Sequence, residues 1–151
     1  MNFVMTEYCH EKFNLSVSEE EERYYLDRAL NYARDAVKKN KSNLGILHSF
    51  SVAVALALEN KVEVSYEDFS SAMENVNRII EEKPDYGGIY YATRARLLSQ
   101  LGDYKGALKN IRYAQALEKP DHDDWILRIA NYQRYEVMIR MKMAGESPSS
   151  I

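Results

Sequence analysis

The sequence predicts an all-α protein, an antiparallel array of helical hairpins with about six helices, and three observations lead there. A helical apolar pattern repeats at a fixed spacing: Phe69, Ala72, Val76 and Ile79 return 35 residues later as Tyr104, Ala107, Ile111 and Ala114. A second pattern, Tyr91, Ala95, Leu98 and Leu101, returns after 34 residues as Trp125, Ile129, Tyr132 and Tyr135. A period of this size marks one supersecondary unit copied and stacked, as in an α-solenoid. Helix starts are signposted along the chain, and Gly (6) and Pro (3) are scarce in 151 residues, which suits helices with short connections.

The elements follow in order. Residues 1–17 are ambiguous: Phe3, Met5, Phe13, Leu15 and Val17 suit an extended segment, while Val4, Tyr8 and Leu15 suit a helix. Such a segment serves either as a terminal cap of the array or as the remnant of a neighbouring domain. Ser18 with Glu21 forms a capping box, and Glu19–Glu22 put negative charge where the helix dipole favours it. The first helix should therefore run from Ser18 to about Asn40, burying Leu26, Ala29, Ala33 and Ala36 and ending in Lys38, Lys39 and Lys41. Asn43 to Glu59 carries Leu47, Phe50, Val54, Ala57 and Leu58 at helical spacing. Its Ser51–Leu58 stretch alternates like a strand, but the alanine content and the flanking repeat decide for helix.

Ser65 and Asp68 open a third helix, which ends before the turn Pro84-Asp85-Tyr86-Gly87-Gly88. Gly88 to Leu101 is the fourth, and Gly102-Asp103 turns directly into the fifth, Tyr104 to Glu118. Pro120 breaks the pattern. Asp121 is then expected to cap a last helix, with Asp124 at its third position, running to about Met143. The tail 144–151 holds Gly, Ser and Pro without periodic apolar residues and is expected to be disordered. Residues 18–143 are thus read as one helical domain.

Tyr91 to Leu117 resembles a tetratricopeptide repeat. Tyr91, Ala95, Leu98, Gly102, Tyr104, Ala107, Ile111, Ala114 and Leu117 fill that family's places for an early aromatic, small residues at close helix approaches, and a G-x-Y turn. The preceding unit is a degenerate copy. Phe50, Val54 and Ala57 stand for its first helix and Phe69, Ala72, Val76, Ile79 and Pro84 for its second, but its loop around Lys61–Val64 is about six residues longer and lacks the glycine. The following unit starts at Trp125 and Ile129, yet Glu136-Val137-Met138 stands where the turn should be. Arg94 also replaces the leucine usual in the family.

The resemblance implies a tetratricopeptide-like α-solenoid serving as a non-catalytic interaction module, a scaffold that takes a peptide or protein in a concave groove. The family's groove positions carry over onto Ser51 and Ala55 in the degenerate unit, onto Ile89, Ala92, Arg96 and Ser99 in the good one, and onto Ile126, Ala130 and Gln133 in the last helix. Arg96 is read equally as a solvated surface arginine. The lysines and asparagines with which some family members clamp a terminal carboxylate are missing, so that ligand is not expected.

The last helix suggests a second role. Trp125, Ile126, Ile129, Tyr132, Val137, Ile139 and Met143 spread over more than one face, whereas the end of a solenoid should be polar outside. Trp125, Ile129, Tyr132 and Ile139 are therefore candidates for contact with a second copy, as in a homodimer, or with a larger parent protein; packing on the array itself is the simpler alternative.

Other functions find little support. The net charge of −3 argues against a nucleic-acid partner, which normally meets a basic stripe. No stretch reaches the roughly 18 apolar residues of a membrane span. One cysteine, Cys9, excludes an internal disulfide and fits a cytoplasmic setting. His10, His48 and His122 share no metal spacing, and Asp121-His122-Asp123-Asp124 is better read as a capped helix start than as a cation site. No phosphate loop or nucleophile motif is present, so neither catalytic residues nor a cofactor are expected.

Overall fold

The computed structural model describes residues 5, 6, 9, 10, 18–120 and 124–145. Among them six long helices and no strand are found: α1 (Glu19–Lys39), α2 (Leu44–Glu59), α3 (Tyr66–Glu82), α4 (Gly88–Gln100), α5 (Tyr104–Leu117) and α6 (Trp125–Met143). The chain forms two compact units, Met1–Val76 and Asn77–Ile151, whose boundary falls inside α3. No helix among the described residues is long and apolar enough to cross a membrane. Most of the 1–17 segment and the tail beyond Gly145 lie outside the described residues, as does Asp121-His122-Asp123; Met5, Thr6, Cys9 and His10 are helical.

In the first unit α1 packs on α2. The Glu21 amide donates to Ser18 Oγ at 3.1 Å, which forms the Ser18 half of the expected capping box. Leu26, Ala29, Leu30, Ala33 and Ala36 face inward. Asn43 caps α2 by accepting the Ile46 amide at 3.1 Å. This helix is apolar nearly all round and buries Leu47, Phe50, Ala53, Val54, Ala55 and Ala57, which makes it the central element of its unit. Burial on opposite sides also explains why its sequence alternates like a strand. Ser65 Oγ accepts the Asp68 amide at 3.1 Å and starts α3. Asp68 then receives Arg34 of α1 through both guanidinium branches, with Nε 3.2 Å from Oδ1. That bidentate pair holds the Asp68 carboxyl below its ordinary value.

In the second unit α4 packs on α5, α5 on α6, and α4 also touches α6. Asp103 caps α5 by accepting the Gly106 amide at 3.0 Å. The 35-residue equivalents Ala72 and Ala107, Val76 and Ile111, and Ile79 and Ala114 are all fully buried. The repeated letters thus mark repeated burial.

The two α-helix ends that precede the predicted hairpin turns share one geometry. After α4, Gly102 lies at φ 83°, its amide donates to Ser99 O, and the Asp103 amide reaches Leu98 O. After α2, Lys61 lies at φ 59°, its amide donates to Leu58 O, and the Val62 amide reaches Ala57 O. Both are Schellman caps, which call for a left-handed residue. The degenerate unit therefore keeps the turn but places a lysine where the good one has glycine. A Cβ in this conformation costs about 1–2 kcal/mol. Lys61→Gly is expected to stabilise the protein by about 1 kcal/mol and Gly102→Ala to destabilise it by a similar amount; opposite shifts in thermal midpoint, followed by circular dichroism, check the pair.

One boundary differs from the expected one. The last helix begins at Trp125, with Asp124 just before it rather than at its third position. The Asp124 carboxylate turns to Arg128, one turn on, at 2.6 Å and makes no cap to the backbone.

Candidate functional site

The positions carried over from the family divide sharply by exposure. Ser51 and Ala55 have no accessible surface. The Ser51 hydroxyl donates to the Ala72 carbonyl at 2.7 Å, tying α2 to α3. Ala92 and Ser99 are also buried. These four expected groove residues are core residues here, because the small side chains that suit a groove wall equally let helices approach closely.

The remaining five all belong to the second unit. Ile126, Ala130 and Gln133 follow one another at i, i+4 and i+7 along α6 and are exposed. Ile89 and Arg96, seven residues apart on α4, share a face of that helix, with Ile89 exposed and Arg96 half-buried. The Arg96 guanidinium joins the two helices elsewhere, 4.9 Å from the centre of the Tyr135 ring, which stands nine residues from Ile126 and so on the opposite side of α6 from that exposed row. Arg134 approaches the same ring at 5.5 Å. Tyr135 was visible in the sequence only as a repeat position, so its role as the platform for Arg96 was missed.

Ile89 also borders a cleft of about 600 Å³ at one end of α4, with Tyr86, Lys119, Asp124, Arg128 and Glu118 around it. Glu118 organises that end. Its carboxylate accepts Arg128 Nε at 2.9 Å and the Tyr132 hydroxyl at 2.8 Å. Burial, reinforced by the Glu118 charge, pushes the Tyr132 phenol well above its ordinary value. One turn further along α6, Glu136 receives Gln115 at 2.9 Å and Arg140 at 3.1 Å, and the Gln115 bond above all holds its carboxyl below the usual range. The packing of α6 on α5 is thus polar at two points along its length.

The expected surface for a second copy is corrected by the same contacts. Tyr132 and Ile139 are buried in their own unit, with the Tyr132 hydroxyl consumed by Glu118. Trp125 and Ile129 are half-buried, and the Trp125 indole N–H is buried without a hydrogen-bond partner. The exposed apolar residues of α6 are instead Ile126, Leu127, Val137 and Met143.

Among the described residues no group of three or more His, Cys, Asp or Glu side chains is placed to hold a metal; His122 lies outside them. Cys9 is a buried free thiol whose pKa is raised by that burial. No model of a known protein family matches the chain, and no curated protein sequence matches it significantly.

Proposed function

We propose that this chain is a non-catalytic protein-interaction module, a tetratricopeptide-like scaffold that holds a peptide or protein partner on the exposed residues of α4 and α6. The observation that carries the reading is exposure: Ile126, Ala130 and Gln133 form one open row on α6 and Ile89 is open on α4, while Arg96 of α4 is seated on Tyr135 of α6. Apolar anchors, arginines and aromatic rings are the chemistry that dominates protein interfaces. The matched burial at 35-residue spacing supports the solenoid part of the proposal, and the lone buried thiol of Cys9 is in keeping with a cytoplasmic setting.

The alternative partner is a second copy or a larger parent protein, meeting α6. Ile126 and Val137 share one face of that helix at i, i+11, with Leu127 adjoining, and all three are more than half exposed. Two measurements divide the readings. Paired affinity purification from the source cell should show a partner captured by the natural protein and lost at least about tenfold on Ile89→Asp, the scale of a removed interface anchor and a residue that the second reading does not use. Undiminished capture removes the first reading. Light scattering that gives a monomer mass at every concentration removes the second copy.

A further inference from the structure

Arg94 differs from Arg34 and Arg128, which also bridge helices. Arg34 is neutralised by Asp68, and Arg128 by Glu118 and Asp124. Arg94 reaches only neutral oxygens: its Nε lies 2.7 Å from Asn110 Oδ1 and its Nη1 3.2 Å from Asn77 Oδ1. Its carbon centre faces the Tyr91 ring at 5.3 Å. Burial pulls its pKa below the ordinary arginine value, and no carboxylate opposes that effect. The protein therefore holds a half-buried positive charge in a fixed orientation, braced by two amides and a ring, with its counter-charge left open. Half-buried cations ordinarily come paired, since desolvation is otherwise uncompensated.

The space in front of this guanidinium is a cavity of about 260 Å³ lined by Tyr91, Arg94, Lys109, Asn110 and Tyr113. That is below the roughly 300–1,000 Å³ of pockets that enclose whole small molecules, and suits a single side chain. It adjoins a shallower basin of about 550 Å³, which shares Lys109 and Tyr113 and adds Lys105, Leu108, Arg112 and Ala116. Lys105, Lys109 and Arg112 fall at i, i+4 and i+7 and form one basic stripe along α5. Among the described residues Lys105 and Lys109 make no ion pair, and Arg112 meets Glu136 only at 3.8 Å, a carboxylate that Arg140 approaches more closely. The stripe stands out in a chain whose net charge is −3.

We propose that the α4–α5 face is a docking site for an acidic peptide segment, with one Asp or Glu side chain entering the cavity to meet Arg94 and Lys109 and its neighbours lying along Lys105 and Arg112. Asn110 and Asn77 take Nε and Nη1 and leave Nη2 to donate to an incoming group, for which a carboxylate supplies both the acceptor and the missing negative charge. Tyr113, exposed at 44%, and the Leu108–Ala116 floor supply apolar contact for the residues between the acids. A nucleic acid fits less well, because the cavity admits one small group rather than a stacked base and the basic surface is a single short stripe. The site uses the second helix of the hairpin and is independent of the α4 and α6 residues proposed above.

The test is fluorescence anisotropy with a labelled peptide alternating Glu and Leu, the same peptide with Gln for Glu, and labelled oligo(dT). The Glu peptide is expected to bind at least about tenfold more tightly than the Gln peptide and to weaken as salt rises. Arg94→Leu, which restores the residue usual in the resembled family, should cost about tenfold. Lys105→Glu with Lys109→Glu, both on the exposed side of α5, should cost at least as much while leaving the helical spectrum unchanged. Ile89→Asp should change nothing, which separates this site from the other surface. Equal affinity for the two peptides, no loss in the Lys105→Glu, Lys109→Glu protein, or tighter binding of oligo(dT) through the same residues overturns the proposal.

Discussion

Gly88→Ala should unfold the second unit more readily by about 2 kcal/mol. Two effects oppose one another at this position. Replacing glycine near a helix start normally gains up to about 1 kcal/mol through lower entropy of the unfolded chain. A Cβ at Gly88, however, would come to 2.4 Å from the Ala114 carbonyl oxygen and 3.1 Å from its carbon. Those are backbone atoms of α5 and cannot swing aside, so α4 must move off α5. Overpacking of this kind costs typically 1–3 kcal/mol, and a backbone clash lies at the upper end. The expected loss in thermal midpoint is about 4–8 °C for a chain of this size. Gly87→Ala is the control: nothing lies within 4 Å of its Cβ and its φ of 177° is ordinary extended backbone. That substitution should be neutral or slightly stabilising. An equal response at both glycines would mean that α4 and α5 are not pressed together at Ala114.

Glu118→Ala should cost more, about 3 kcal/mol. Its side chain is only 9% exposed and accepts from both Arg128 and Tyr132. Removing the acceptor leaves a phenol hydroxyl buried and unpaired, and leaves Arg128 to Asp124 alone. Leaving a buried polar group unpaired costs about 1–3 kcal/mol, and losing the Tyr132 and Arg128 bonds together argues for the upper figure. Urea unfolding gives the difference directly, with Tyr132→Phe expected to lose only about 1 kcal/mol because it deletes a single bond. The same contacts set an alkaline limit. The Tyr132 phenol ionises far more reluctantly in the folded chain than in the unfolded one. Its contribution is therefore complete below the unfolded value of about 10 and is lost progressively as pH rises beyond it. Tyr132→Phe should flatten that decline without abolishing it, since burial also raises Tyr90 and Tyr91. A Tyr132→Phe protein with an unaltered alkaline limb would remove this account.

Much of the secondary structure could be read from the chain because its signals are local. Ser18, Ser65 and Asp103 act within three residues of themselves, and each accepts the amide that its position predicts. Apolar spacing was equally direct for α1 and α5. Lys61 was opaque for the opposite reason: its left-handed turn depends on two amide bonds to α2 and not on its own residue type. Asp121 lies outside the described residues; the last helix begins after the second aspartate, Asp124, whose carboxylate turns to Arg128. The binding surface was harder still. Exposure depends on how neighbouring helices lie, so Ser51 and Ala55 were assigned to a wall and proved to be core, while Ile126 and Gln133 stayed outside. Arg94 was noticed as a departure from a pattern, but its two amide braces come from helices 16 and 17 residues away and leave no trace in spacing.

The single tryptophan of the chain, Trp125, stands at the start of α6 and so belongs wholly to the unit that begins at Asn77. Indole emission consequently reports on that half alone, whereas ellipticity sums the helices of both. Overlaying the two optical transitions gives a label-free gauge of whether the halves melt as one cooperative body or in succession.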